Sequence, residues 1–166
     1  MMVAVVLLPI IGGALIPLLP FKTRRQMMIY VESLVLLNSV LVLSLLFAQP
    51  EGDFTLFRFT GNLSVSFRLD GLGTLFAGLV SVLWPLATLY SFEYMKHEGH
   101  EKIFFMFYVM TFGITLGIAL AEDIVTMYFF YEMLSLVTVP LVMHTLTKEA
   151  VRASRTYLSY SLGGAA

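Results

Sequence analysis

One full carboxylate, Glu132, stands inside the apolar run Asp123 to His144, DIVTMYFFYEMLSLVTVPLVMH. About twenty such residues are enough to cross a bilayer as a helix. Glu132 lies some nine residues in from Asp123, and a rise of about 1.5 Å per residue carries it well inside the hydrocarbon. An ionisable side chain there is costly and needs a partner, a proton or water. Desolvation raises a carboxyl's pKa and a nearby lysine lowers it, so such a group facing a movable charge can load and release a proton. The same residue could also be a neutral, hydrogen-bonded carboxyl that ties helices together. Tyr128, four residues earlier, and Ser135, three later, share its helix face and could hold water or bond the carboxyl. Pro140 predicts a bend just beyond.

The other titratable groups carry weaker signals. Glu32 stands near the end of its own apolar run, where it could snorkel to the interface or serve the same chemistry as Glu132. His144 closes the fifth run; capping fits it, and so does proton entry, because histidine titrates near neutral pH. Glu93, beside Tyr94, reads as interfacial. His97 and His100, with Glu98 and Glu101, have a superficially metal-like spacing, but a short solvated loop of this kind does not specify a metal, and none is expected. Nucleophile triads, phosphate loops and nucleotide fingerprints are absent from the sequence.

These groups must be positioned by a membrane-embedded scaffold. The chain is 58% hydrophobic and 13% charged, with a mean hydropathy of +0.87, against about 25% charged residues in soluble domains. A formal net charge of −1 and the lack of an aromatic–basic stripe argue against nucleic acid and against a polybasic surface anchor. With no cysteine in the sequence, thiolate metal sites, Fe–S ligation and disulfides are excluded. No cofactor is expected in this chain, and any redox centre belongs to a partner.

Taken in order, Met1 to Leu19 reads as a first span, retained and not cleaved as a signal peptide. Phe21 to Gln26 is a basic turn, and Met27 to Ala48 is a second span with Glu32 and Asn38 inside it. Gln49 to Asp70 is the one long segment outside the membrane; Phe54 to Phe59, Thr60-Gly61-Asn62 and the alternating Leu63 to Leu69 predict a β-hairpin. A third span runs from Leu72 to Tyr90, with a kink expected at Trp84-Pro85. Glu93 to Lys102 is a charged loop, and Ile103 to Leu120 a fourth span whose Gly113, Gly117 and Ala119 suit close helix packing. Glu122-Asp123 turns tightly into the fifth span, so spans four and five should be antiparallel neighbours. Lys148 to Arg155 reads as a basic loop, and Tyr157 to Ala166 opens another apolar run. The expected fold is an all-α polytopic membrane protein, one membrane domain over residues 1–166, with five transmembrane helices and the start of a sixth.

The loops after spans one, three and five hold Lys22, Arg24, Arg25, Lys96, Lys102, Lys148, Arg152 and Arg155, whereas the other side holds only Arg58 and Arg68. The positive-inside rule then places those three loops in the cytoplasm. The N-terminus, the hairpin and Glu122-Asp123 are expected to be extracytoplasmic.

Phe67-Arg-Leu-Asp-Gly-Leu72, Tyr90-Ser-Phe-Glu-Tyr-Met95, Leu120-Ala-Glu-Asp-Ile-Val-Thr-Met-Tyr-Phe-Phe-Tyr-Glu132 and Arg155-Thr-Tyr-Leu-Ser-Tyr-Ser-Leu-Gly-Gly164 together resemble the N-terminal part of the antiporter-like subunits. That family comprises large proton-translocating membrane subunits of respiratory complex I, of energy-converting hydrogenases and of Mrp-type cation/proton antiporters. The resemblance implies that Glu132 occupies the position of the family's fifth-helix glutamate, which pairs with a lysine of the seventh helix. No lysine of this chain falls within a span, so that lysine is expected from the remainder of such a subunit or from a second chain. Other expected partners are further membrane subunits and lipid. The implied setting is a bacterial or archaeal cell membrane, an organellar inner membrane being the alternative. The implied function is proton or Na⁺/H⁺ translocation by a non-redox subunit of a translocase or antiporter. A different class of role is a structural membrane subunit that packs and seals a complex.

Overall fold

The apolar runs fold as helices because a backbone without water must satisfy its own hydrogen bonds. The computed structural model describes every residue except Gln49, Pro50, Glu51, Asp53, Gly61, Asn62, Glu98, His144, Thr145, Leu146 and Ala166. Six α-helices are described: α1 (Met2–Leu15), α2 (Arg24–Ala48), α3 (Gly71–Tyr94), α4 (Glu101–Ala119), α5 (Ile124–Val142) and α6 (Lys148–Ala165). A short 3₁₀ turn, Met95–His97, follows α3. The four helices α2 to α5 are long and apolar enough to cross a membrane, and α1 is a shorter apolar helix.

The helix faces are those of a membrane protein. On α3 the buried positions are Gly73, Ala77, Ser81, Pro85, Thr88, Ser91 and Phe92, while Leu72, Leu75, Leu79, Leu83, Leu86 and Leu89 point outward. Small and hydroxylated residues thus line the packed stripe and leucines the outside, as expected where helix association is driven by close packing and not by hiding apolar surface. The buried hydroxyls satisfy themselves within the helix: Ser81 donates to Gly78 O, Thr88 to Trp84 O and Ser91 to Ala87 O, each at 2.8 Å.

Helix α4 is the hub, packed most extensively on α1 and α5 and also on α3. Gly113 and Gly117 permit this. A Cβ at Gly113 would overlap the Val6 carbonyl oxygen of α1, and one at Gly117 would lie 2.5 Å from the Phe130 ring of α5. Across the α3–α4 seam Trp84 stacks on Phe112 at 5.1 Å, and its ring lies 5.4 Å from that of Tyr108. At one end of the bundle Arg24 forks onto Glu101, Nε reaching the two carboxylate oxygens at 2.8 and 2.9 Å, and also donates to the Phe92 carbonyl. One side chain thereby joins the starts of α2 and α4 to the end of α3.

The hairpin forms as expected, β1 (Phe54–Thr60) antiparallel to β2 (Leu63–Phe67), with register shifts between Thr55 and Phe57 and between Arg58 and Thr60. The middle of the expected turn, Gly61 and Asn62, lies outside the described residues. The hairpin docks on the α4–α5 connection: Arg68 N–H donates to Leu120 O at 2.9 Å and Glu122 N–H to Ser66 O at 3.0 Å. The hairpin and Glu122-Asp123 therefore lie at the same end of the bundle, and the tight connection leaves α4 and α5 as packed neighbours.

Helix ends differ from the sequence reading at several points: α3 runs on to Tyr94, not Tyr90, and α4 begins at Glu101, not Ile103, so the charged loop between them is shorter than Glu93 to Lys102. Helix α1 stops at Leu15, not Leu19; the chain continues in turns, because Pro17 and Pro20 lack the N–H groups that further helix would use. Helix α2 starts at Arg24, not Met27, so the basic turn is shorter and Glu32 lies eight residues from the helix start. The segment Lys148 to Arg155 is not a loop but the first half of α6. There Thr147 Oγ1 accepts from Ala150 N–H at 3.1 Å, an N-cap contact that starts the helix ahead of its basic residues.

Replacing Gly113 with Val should force α1 from α4 and lower stability by about 1–3 kcal/mol, whereas Gly71→Ala, where an added Cβ meets open space, should change it little. Thermal unfolding of the two variants in detergent checks this, and equal melting temperatures would refute the close α1–α4 approach.

Candidate functional site

The depth of Glu132 is set where α5 begins. Asp123 is the N-cap: its Oδ1 accepts from Thr126 N–H at 2.7 Å and its Oδ2 from the Ser66 hydroxyl at 2.9 Å. Thr126 Oγ1, fully buried, in turn accepts from Ser66 N–H at 3.0 Å. Arg68 pairs with Glu122 at 3.4 Å across the same junction, and Phe130, one turn further on, packs its ring 5.6 Å from that of Phe67. Strand β2 and the first turns of α5 thus form one hydrogen-bonded unit. Burial pushes the Asp123 carboxyl up, but the hydrogen bonds from Thr126 and Ser66 outweigh it and hold the group below its ordinary range.

Glu132 follows Ile124 by eight residues and precedes Val142 by ten, close to the middle of the helix and about 12 Å along it from its start. The side chain is partly buried, and its Oε1 is buried without a hydrogen-bond partner. Tyr128, on the same face, interacts electrostatically with the carboxylate and is itself exposed. Ser135 is buried. Phe129, Tyr131 and Leu136 are exposed, so much of the α5 surface is uncovered in this chain.

One contact near Glu132 escaped the sequence reading. Thr138 Oγ1 lies 2.9 Å from the Tyr157 hydroxyl, joining α5 to α6 less than two turns beyond the carboxyl. The tyrosine-rich opening of the last apolar run was visible, but its pairing required knowing that α6 packs on α5.

Glu32 belongs to a different neighbourhood. Its Oε2 is buried without a hydrogen-bond partner, so the carboxyl does not extend to solvent through that oxygen. Tyr108 on α4 lies within its electrostatic reach. The Tyr108 phenol lies near Thr88 and Ser91, whose hydroxyls are already donated within α3, and it has no well-formed hydrogen bond of its own. Asn38, Ser39 and Trp84 Nε1 are also buried and unpartnered. Helix α2 packs on α1, α3 and α4 and not extensively on α5, so the structure does not bring Glu32 together with Glu132. His144 lies outside the described residues. His100 is exposed and caps α4 in a left-handed conformation, φ 63°, and Glu101 is committed to Arg24. Among the described residues no group of three His, Asp or Glu side chains is placed to hold a metal ion.

Residues 58–105 match the family described as NADH-Ubiquinone oxidoreductase (complex I), chain 5 N-terminus. A Na(+)/H(+) antiporter subunit A1 of Staphylococcus aureus is 28% identical over 135 residues, covering 78% of this chain and 17% of that protein. A chain of respiratory complex I from Thermus thermophilus superposes with a TM-score of 0.80 at 26% identity, covering 99% of this chain and 33% of that one. A chain of a membrane-bound sulfane sulfur reductase, an archaeal respiratory membrane complex, also superposes with a TM-score of 0.80; at 17% identity, over 34% of its length, it shares the fold. This chain spans about a sixth of the curated relatives it matches and a third of the structural ones. It is an integral membrane chain, similar over part of its length to the N-terminus of complex I chain 5, over most of it to a Na(+)/H(+) antiporter subunit, and in fold over nearly all of it to a chain of respiratory complex I.

Proposed function

We propose that this chain is the N-terminal part of a subunit that translocates protons, or exchanges Na⁺ for H⁺, within a multi-subunit membrane complex. The observation that carries the reading is Glu132, a mid-helix carboxyl with a buried oxygen that has no hydrogen-bond partner among the described residues. A carboxylate cannot remain charged and unpaired in hydrocarbon. It binds a proton, or it faces a cation, and alternation between the two is a transport cycle. The cation is a lysine from outside this chain, approaching the uncovered surface of α5 that Tyr128 and Tyr131 share. Tyr128, adjacent to the carboxylate, positions it or passes its proton on; Ser135 supports the same face. Glu32 and His144 are supporting groups on the proton path.

In this reading the chain contributes five spans and the start of a sixth, α1 crossing with the help of the turns that follow it. The basic segments at Lys22–Arg25, Lys96–Lys102 and the start of α6, Lys148–Arg155, face the cytoplasm, and the N-terminus and hairpin face outward. The subunit carries no redox cofactor, and electron transfer, where the complex performs it, belongs to partner subunits. The similarity to a Na(+)/H(+) antiporter subunit and to a chain of complex I supports this assignment of class.

In the full-length subunit within its assembled complex, Glu132→Gln should reduce ion flux into proteoliposomes to background while leaving assembly intact. Tyr128→Phe should lower the flux several-fold without abolishing it. A Glu132→Gln complex that assembles and transports at the parental rate would sink the proposal. One that fails to assemble would assign Glu132 a packing role instead.

At the mouth of α5 the hydrogen bonds to Asp123 contribute stability above the ordinary carboxylate range, and that contribution is lost as pH falls through the lowered pKa of the folded state. Asp123→Ala should therefore cost about 1–2 kcal/mol at neutral pH and reduce transport by displacing Glu132. Asp123→Asn, which retains the cap, should flatten the acid limb of the melting curve below about pH 4. Melting scans from neutral to acid pH read both effects.

A further inference from the structure

A cavity of about 620 Å³, open on one side, lies where α1 ends and where α2 and α4 begin. Pro17, Phe21, Met27 and Ile103 form its apolar wall. Lys22 and Lys102 line it as well; both are exposed, and neither has an ion-pair partner among the described residues. Lys102 Nζ lies 5.7 Å from the centre of the Phe21 ring, which holds the ammonium at the cavity. The third cation, Arg24, is already neutralised by Glu101 at 2.7 Å. Two uncompensated positive charges therefore remain over an apolar wall. The amide ends of α2 and α4 open onto the same space and add partial positive charge.

We propose that this cavity binds the phosphate headgroup of an anionic phospholipid. The position favours a membrane lipid over a soluble anion. The site lies at the ends of helices that cross the bilayer, and its wall is apolar enough to accept the glycerol and first methylenes of an acyl chain. Exposed Leu15 and Leu18 of the α1 end supply apolar surface nearby. Basic pockets between helices at a membrane face are the expected receptors for such headgroups. The lining comes from the α1–α2 connection, α2, the α4 cap residue His100 and α4, so this site is separate from the α5 carboxyl and does not depend on the transport reading. A bound lipid would bridge the α1–α2 turn to the start of α4, beside the Arg24–Glu101 pair.

The test uses the full-length subunit in its complex, in nanodiscs of phosphatidylcholine with a minor fraction of phosphatidylglycerol, with retained lipid counted by native mass spectrometry. The parent protein should retain phosphatidylglycerol in preference to phosphatidylcholine. The double variant Lys22→Gln, Lys102→Gln should lower that retention about tenfold or more, and Lys22→Arg, Lys102→Arg should keep it, which separates loss of charge from loss of fold. Lys96→Gln, at an exposed lysine paired to Glu93 and outside the cavity, should have no effect. Unchanged retention in the double Gln variant, or an equal loss on Lys96→Gln, would overturn the assignment. So would displacement of phosphatidylglycerol by millimolar inorganic phosphate with no preference between the two lipids, which would make the cavity a soluble-anion site.

Discussion

The capping of α5 by Asp123 governs where the central carboxyl lies. Helix α5 packs on α4, α6 and β2, and its fully buried residues are few: Thr126, Phe130 and Ser135. Two of those three belong to the junction with the hairpin, through the Ser66–Thr126 hydrogen bond and the Phe67–Phe130 ring contact. The start of the helix, not its flank, therefore fixes its register. A slip of one residue would move Glu132 about 1.5 Å along the axis and turn it, together with Tyr128, by about 100° relative to the neighbouring helices. The hairpin thus acts as a stop for the helix that carries Glu132.

A second constraint is the cost of polar atoms inside the bundle. Glu32, Asn38, Ser39, Trp84, Tyr108 and Glu132 each have a buried polar atom without a hydrogen-bond partner. An unsatisfied buried donor or acceptor costs about 1–3 kcal/mol in a soluble protein, and the bilayer offers no compensating solvent. Thr88, Ser91, Thr111, Thr115 and Thr138 escape this cost by donating to carbonyls of their own helices. Five of the unsatisfied groups lack that route, because a carboxyl, an amide, an indole or a phenol is too long or the wrong shape for local back-bonding; Ser39 is a hydroxyl that does not take it. Five of the six belong to α2, α3 and α4, so the packed interior has polar capacity well away from α5.

Apolar length and turn chemistry made most of the fold legible. The long spans, the hairpin and the Glu122-Asp123 turn follow from local patterns, and Gly113 and Gly117 lie at the close approaches their size predicts. The early end of α1 follows from its prolines, but the misplaced starts of α2 and α6 share another cause: at an interface, basic residues continue a helix as readily as they leave it. Arg24 and Arg25 open α2, and Lys148, Arg152 and Arg155 ride on α6, yet charge alone marked both segments as loops. At the site, Glu132 could be identified from its type and depth. The docking of Ser66 onto Asp123 and Thr126, 57 and 60 positions away, and the Thr138–Tyr157 contact could not, because each joins segments that only tertiary packing brings together.

The two intramembrane carboxyls differ in what could neutralise them. Glu32 belongs to the packed side of the bundle, where α2 meets α1, α3 and α4, and the phenol of Tyr108 lies within its reach. A small rotation of either side chain could supply a hydrogen bond between them. Glu132 is on a helix with a large uncovered surface, where a charged group from outside the chain can approach and withdraw without repacking the bundle. A carboxyl that must change its charge needs a partner whose distance can change. Of the two, Glu132 meets that requirement better, which is why the proposed exchange step centres on α5 and not on α2.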